Sequence, residues 1–229
     1  MLSKEQIEQN KQTFLDLINS IQREGFEKDK LINWLEKSDF FTAPASTKYH
    51  CNFEGGLCYH SLNVYYSLES LCYTYANDQE TILHEAKYDD SGNLIEKEWT
   101  EFVDHLRFET DSIIIIGLLH DISKANMYEK YLRNVKNNET GKWDQIEEYR
   151  VIDSKDRFIF GSHEETSEFM VRSFISLKVE ESVAILHHMG GQGFDSSQTD
   201  LSVIYGKYNL ACLLHAADLL STFCLENKE

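Results

Sequence analysis

The sequence predicts a mostly α-helical fold, one domain over residues 1–229, with a small inserted β-hairpin. Three observations carry this. A single proline leaves long uninterrupted segments; apolar residues in those segments recur at helical spacing; and one stretch, Tyr128 to Asp153, departs from that spacing. At 229 residues the chain can bury a substantial core without disulfides, and no internal repeat, low-complexity tract or linker divides it.

The first helix is expected to start at Ser3, with Gln6 completing a capping box, and to carry Phe14, Leu17, Ile18 and Ile21 on one face until Gly25. A second, Glu27 to Lys37, buries Leu31, Trp34 and Leu35, and Phe40 to Gly56 reads as a loop around Pro44 and Gly55-Gly56, so that about residues 1–50 form a helical lead-in. From Leu57 to Tyr75 one helical face holds Leu57, His60, Val64, Leu68, Leu71 and Tyr75. Asp89 to Asn93 is a turn; Trp99 to His105 and Ser112 to Lys124 read as helices. The hairpin, about 128–153, alternates around Asn137-Asn138-Glu139-Thr140-Gly141. Helices are expected again over Glu164 to Ser173, Val179 to Met189 and Asn209 to Cys224.

Composition limits the partners. With 39 acidic against 22 basic side chains, a net charge of -17, the surface repels polyanions and shows no basic stripe to follow a phosphate backbone, which makes long nucleic acid a poor partner. The longest apolar run is too short to cross a bilayer, and the N-terminus lacks the pattern of a signal peptide, so a cytoplasmic, membrane-free protein is expected. Five scattered cysteines in apolar surroundings fit reduced core thiols.

The chemistry centres on His120-Asp121, a polar couple closing the run Ile113-Ile114-Ile115-Ile116-Gly117-Leu118-Leu119. Burying an imidazole and a carboxylate together is costly unless compensated, and a divalent cation compensates most effectively. Other ligand-like positions are His60 on an apolar face, His163 at a helix start, His187-His188 at a helix end, and Asp218 within Leu213-Leu214-His215-Ala216-Ala217-Asp218-Leu219-Leu220. Each has an ordinary alternative. A lone histidine on an apolar face is commonly a hydrogen-bonded core residue, although Asp218 has no Arg or Lys among its immediate neighbours.

Taken in order, the blocks Gly55-Gly56-Leu57-Cys58-Tyr59-His60-Ser61-Leu62, Leu118-Leu119-His120-Asp121-Ile122-Ser123-Lys124, Gly161-Ser162-His163-Glu164-Glu165-Thr166-Ser167, Ile185-Leu186-His187-His188-Met189-Gly190 and His215-Ala216-Ala217-Asp218 resemble the HD-domain superfamily of metal-dependent phosphohydrolases over nearly the whole chain. The resemblance implies an HD-domain helical bundle. It makes His60, His120, Asp121 and Asp218 ligands of a first metal, with Asp121 bridging to a second held by His163 and His188. His187 is the less favoured neighbour. Two divalent ions are thus implied; mixed imidazole and carboxylate ligands suit Mn, Fe, Co, Ni or Zn, with Mg also allowed. Lys124 is implied to contact a phosphate oxygen and, with Asp121, to form the catalytic set, the attack coming from a metal-bound hydroxide.

Pro44-Ala45-Ser46-Thr47-Lys48-Tyr49-His50 resembles the loop before the first ligand in the HD branch that includes 3'-to-5' exoribonucleases, which places His50 and Lys48 at the border of the substrate pocket; a loop-packing histidine is the alternative. The Gly-Tyr-Pro tripeptide of the cyclic dinucleotide phosphodiesterase branch is absent after His188, and no OB-fold precedes the first ligand. A small phosphorylated substrate, a nucleotide or short phosphodiester, is therefore expected, in a pocket shaped by the hairpin and by Phe194-Asp195. The alternatives are a non-catalytic, metal-containing module that senses a nucleotide, and trimming of RNA 3' ends. His84 and His105 match no block and are expected to be ordinary.

Overall fold

Ser3 does cap the first helix: the Gln6 N–H donates to Ser3 Oγ at 3.2 Å and Gln6 Oε1 accepts from the Ser3 N–H at 2.8 Å. In a computed structural model of the chain, which describes residues 1–137, 139–190 and 201–226, the helices are α1 (Lys4–Ser20), α2 (Lys28–Lys37), α3 (Gly56–Tyr75), α4 (Thr110–Leu119), α5 (His163–Arg172), α6 (Val179–Leu186), α7 (Leu201–Lys207) and α8 (Asn209–Leu220). The strands are β1 (Asn77–His84), β2 (Lys87–Tyr88), β3 (Leu94–Glu96), β4 (Trp99–Leu106), β5 (Tyr128–Lys136) and β6 (Trp143–Val151).

Every residue of α4 from Ser112 to Leu119 is buried, so this helix is apolar around its whole circumference and must lie inside the domain. It packs on α1, α3 and α6, while α8 packs on α3 and α6. The close approach of α3 and α4 depends on Gly117, where a Cβ would lie 2.8 Å from the Tyr65 Cα. Because α4 is central, whatever stands at its C-terminal end is carried into the middle of the molecule. His120 and Asp121 stand there.

The expected mostly α bundle with one hairpin is corrected by the strand content. The chain is 49% helix and 18% strand, with eight helices and three small sheets among the described residues, a mixed α and β composition. The hairpin over 128–153 forms as β5 against β6, from Tyr128 opposite Val151 to Lys136 opposite Trp143. The segment Trp99 to His105, expected to be helical, is instead strand β4, paired antiparallel with β1 from Asn77 opposite Leu106 to His84 opposite Trp99. β2 and β3 pair beyond it, around a turn in which Asp89 Oδ1 accepts from the Ser91 and Asn93 N–H groups. Thr81-Ile82-Leu83 and Trp99-Thr100-Glu101-Phe102-Val103 are rich in β-branched and aromatic residues, and partners on both sides of that turn decide their conformation. His84 stacks on Trp99 with ring centroids 4.0 Å apart and contacts Glu101 at 2.8 Å; His105 contacts Glu80 at 2.9 Å.

Several helices are shorter than the pattern suggested. The expected helix to Lys124 ends at Leu119, after which Ile122–Lys124 is a 3₁₀ turn; the one to Met189 ends at Leu186; and α8 passes into a π-helical turn, Ser221–Leu225. Among the cysteines, all free, Cys51, Cys58 and Cys72 are buried, but Cys212 and Cys224 are exposed, so the expectation of core thiols fails for two of five. No single helix among the described residues is long and apolar enough to cross a membrane.

A buried ion pair joins the segment after α1 to α6. Arg23 meets both Glu181 carboxylate oxygens at 2.7 Å, the Glu181 side chain being fully buried, and the Lys178 N–H donates to it at 2.7 Å. Burial would raise the Glu181 carboxyl pKa, but the Arg23 and Ser112 hydrogen bonds outweigh burial and leave it lowered. The pair therefore contributes stability that is present above the ordinary glutamate range and is lost as pH falls through the lowered value. Glu181→Ala strands Arg23; urea unfolding at neutral pH is expected to show a loss of roughly 3–5 kcal/mol, and a smaller loss once the pH is taken below that value.

Candidate metal centre

The termini of α4, α5 and α6 and the interiors of α3 and α8 bring six side chains together. His60 comes from α3, His120 and Asp121 follow α4, His163 opens α5, His188 follows α6, and Asp218 lies in α8. The capping box that starts α5, in which Ser162 Oγ accepts from the Glu165 N–H and Glu165 from the Ser162 N–H, fixes His163 at the first helical position. Gly161 precedes it at φ +83°, where a side chain would collide with Glu165.

Asp121 sits at the centre, and its two oxygens face different partners. Oδ2 lies 3.5 Å from His60 Nε2 and 3.5 Å from His120 Nε2; Oδ1 lies 3.5 Å from His188 Nε2 and 3.7 Å from His163 Nε2. Asp218 Oδ1 completes the first set, 3.3 Å from His60 Nε2. Ligand atoms of His60, His120 and Asp121 lie within 4.8 Å of one another, as do those of Asp121, His163 and His188, so two groups able to hold a metal ion share one carboxylate.

The outward nitrogens of the four rings are already engaged. His60 Nδ1 meets Glu226 at 3.0 Å, His120 Nδ1 donates to the Gly117 carbonyl at 3.0 Å, His163 Nδ1 meets Glu164 at 3.2 Å, and His188 Nδ1 donates to the Ile185 carbonyl at 2.7 Å. Each contact favours the tautomer whose bare Nε2 lone pair points inward. All four Nε2 atoms and Asp121 Oδ1 are buried without a hydrogen-bond partner among the described residues. Such orphaned acceptors are what a cation satisfies, and the residues present fit one.

The electrostatics divide the four rings into two pairs. Burial pushes the His120 pKa down to about 3 and lowers that of His163, which keeps both in the neutral, ligating form. For His60 burial acts downward too, but Asp121, Asp218 and Glu226 outweigh it and hold the pKa well above the usual value; Asp121 does the same, less strongly, for His188. A proton is thus attracted to the place the geometry offers a metal. Despite burial, Asp121 is held well below the carboxylate range by Lys124 and His120, and Asp218 is lowered by His60.

Lys124 Nζ lies 2.6 Å from Asp121 Oδ2, brought there by the 3₁₀ turn rather than by a continued helix. It also lines a cavity of about 310 Å³ with Tyr49, His50, Met189, His215 and Asp218. His50 therefore borders the cavity as expected, and burial first, then His60 and Lys124, lower its pKa to about 4. Lys48 is exposed and does not line it. Nor does any residue of β5 or β6, so the hairpin expected to shape this pocket does not form its wall, although Tyr128 at the start of β5 lies near Lys124 and Asp121. Phe194 and Asp195 lie outside the described residues. His187 belongs to none of the metal-holding groups among the described residues, the third being His50, His60 and Glu226, and its carbonyl accepts from Tyr205 Oη at 3.3 Å.

Glu226 was not singled out from the sequence. Its carboxylate contacts His60 Nδ1 and accepts from Asn63 Nδ2 at 2.9 Å, although it lies 166 residues from His60 in the chain. A lone glutamate near the end of an acidic chain gives no local signal; only the π-helical turn after α8 returns it to α3. No family model, curated protein or solved structure matches this chain.

Glu226 orients His60 and adds negative charge behind it. Glu226→Ala is expected to weaken binding of Zn²⁺ or Mn²⁺, measured by calorimetric titration, by about 10–100-fold, and Glu226→Gln by less because the amide oxygen can still accept from Nδ1–H. His187→Ala is expected to leave the affinity unchanged.

Proposed function

We propose that the chain is a metal-dependent phosphohydrolase that uses two divalent ions, His60, His120, Asp121 and Asp218 holding one, Asp121, His163 and His188 the other. The observation that carries this reading is the division of the Asp121 oxygens between two sets of inward-facing Nε2 atoms that lack a hydrogen-bond partner among the described residues. The order of the ligand blocks and its resemblance to the HD superfamily support it, and with that resemblance goes the phosphohydrolase class. Ions bound there supply Lewis acidity toward a phosphoryl oxygen and lower the pKa of an attacking water.

The chain's own residues provide the rest. Lys124 stays protonated because Asp121 raises its pKa against the effect of burial, and so presents a fixed positive charge to a phosphate in the cavity. His50, neutral at pH 7, offers one donor or acceptor to the substrate. Met189, Leu219 and Phe223 line the same cavity with apolar surface, suited to the non-phosphate part of a small molecule. The volume of about 310 Å³ and the net charge of -17 both favour a nucleotide or short phosphodiester over a long strand.

The test is a panel of nucleoside mono-, di- and triphosphates and phosphodiesters, assayed with added Mn²⁺, Co²⁺, Ni²⁺, Zn²⁺ or Mg²⁺. Release of phosphate or nucleotide from at least one class is expected, abolished in Asp121→Ala and reduced about 10²-fold in kcat by Lys124→Gln. A metal-loaded protein inert toward the whole panel overturns hydrolysis and leaves a nucleotide-sensing module in its place.

A further inference from the structure

A second and larger cavity, about 700 Å³, opens on the other side of the 3₁₀ turn, and none of the six candidate ligands lines it. Its walls are aromatic. Trp34 of α2 and Phe174, just beyond α5, stand with ring centroids 6.2 Å apart; Phe158 and Phe169 stack at 5.8 Å and an interplanar angle of 28°. Phe169 also stacks on Phe160 at 4.4 Å, while Phe158, 57% exposed, leaves apolar ring surface facing water inside a concavity.

Its rim is cationic, in a chain whose net charge is -17. Lys30 is already paired with Glu27 at 2.7 Å. Lys37 and Arg157, both in the lining, have no ion pair among the described residues. A guanidinium without a carboxylate partner beside aromatic faces is chemically matched to an anion attached to a ring. Asp156, the one carboxylate in the lining, is a suitable acceptor for sugar hydroxyls.

We propose that this cavity is a binding site, separate from the metal centre, for a flat aromatic ring carrying a phosphate, the ring lying against Trp34, Phe158 and Phe169 and the phosphate on Arg157 and Lys37. Stacking tolerates any base, so the site selects the class of a nucleotide rather than one base. A cavity of about 700 Å³ falls within the range of roughly 300–1,000 Å³ that small ligands occupy. Ser123 and Ala125 in its wall flank Lys124, so the two sites share a stretch of backbone.

Trp34 supplies the reporter once the exposed Trp99 and Trp143 on the ribbons are changed to Phe. Fluorescence titrations with AMP, ATP and adenosine are run in EDTA, so that neither metal binding nor hydrolysis contributes. Saturable quenching is expected, with AMP binding at least about tenfold more tightly than adenosine, a difference that corresponds to one good charge-assisted contact. Arg157→Gln is expected to remove most of the difference between AMP and adenosine while leaving adenosine itself unchanged, which also shows that the cavity is intact. Lys37→Gln, on an exposed side chain, is expected to have a smaller effect of the same kind. No saturable change with AMP or ATP, equal affinities for AMP and adenosine, or AMP binding unaffected by Arg157→Gln overturns the proposal. Any of these leaves the reading of the metal centre standing, and an inert metal centre leaves this site standing.

Discussion

The Asp121 carboxylate is the constraint on which the rest depends. It is buried, faces four imidazole Nε2 atoms on two sides and touches Lys124, so polar groups from four helices that the apolar core packs together converge on it. Asp121, Asp218 and Glu226 place three carboxylates about His60, and their negative charge is met by Lys124 and by a proton or a cation at the inward imidazole nitrogens. A low local dielectric strengthens both the repulsion among the carboxylates and their attraction for a cation.

The fold meets this constraint by placing the polar couple at the end of its most apolar helix. α4 is surrounded by α1, α3 and α6, and the absence of a side chain at Gly117 lets α3 approach closely enough for His60 to reach His120, their ring centroids 5.5 Å apart. Behind the ligands, Glu226, Glu164 and the Gly117 and Ile185 carbonyls occupy the second ring nitrogens and set the direction of each lone pair. Arg23 and Glu181 tie α1 to α6 away from this cluster, which separates an ordinary structural ion pair from the charged groups of the centre.

Much of the centre was legible in the sequence because its ligands sit where a polar residue contradicts its surroundings. His60, His120, Asp121 and Asp218 interrupt apolar helical faces, and the periodicity that identified those faces also marked the exceptions. The capping box at Ser3 is readable for the same local reason. What stayed hidden depends on contacts distant in the chain. β4 looked helical because nothing within Trp99 to His105 shows that β1 will pair with it, and Glu226 acquires a role only through the turn that carries it back to α3. Helix ends were read too long at Lys124 and Met189; the early stops at Leu119 and Leu186 are what swing Lys124 and His188 toward Asp121.

The most direct measurement is the metal content per chain, by elemental analysis of protein purified with and without Asp121→Ala. A shared carboxylate predicts about two first-row divalent ions per wild-type chain, and their joint loss in the variant, since both sets of imidazoles lose the same ligand. Wild-type protein that takes up no ion from metal-supplemented medium, or a variant that retains the full wild-type content, contradicts the account.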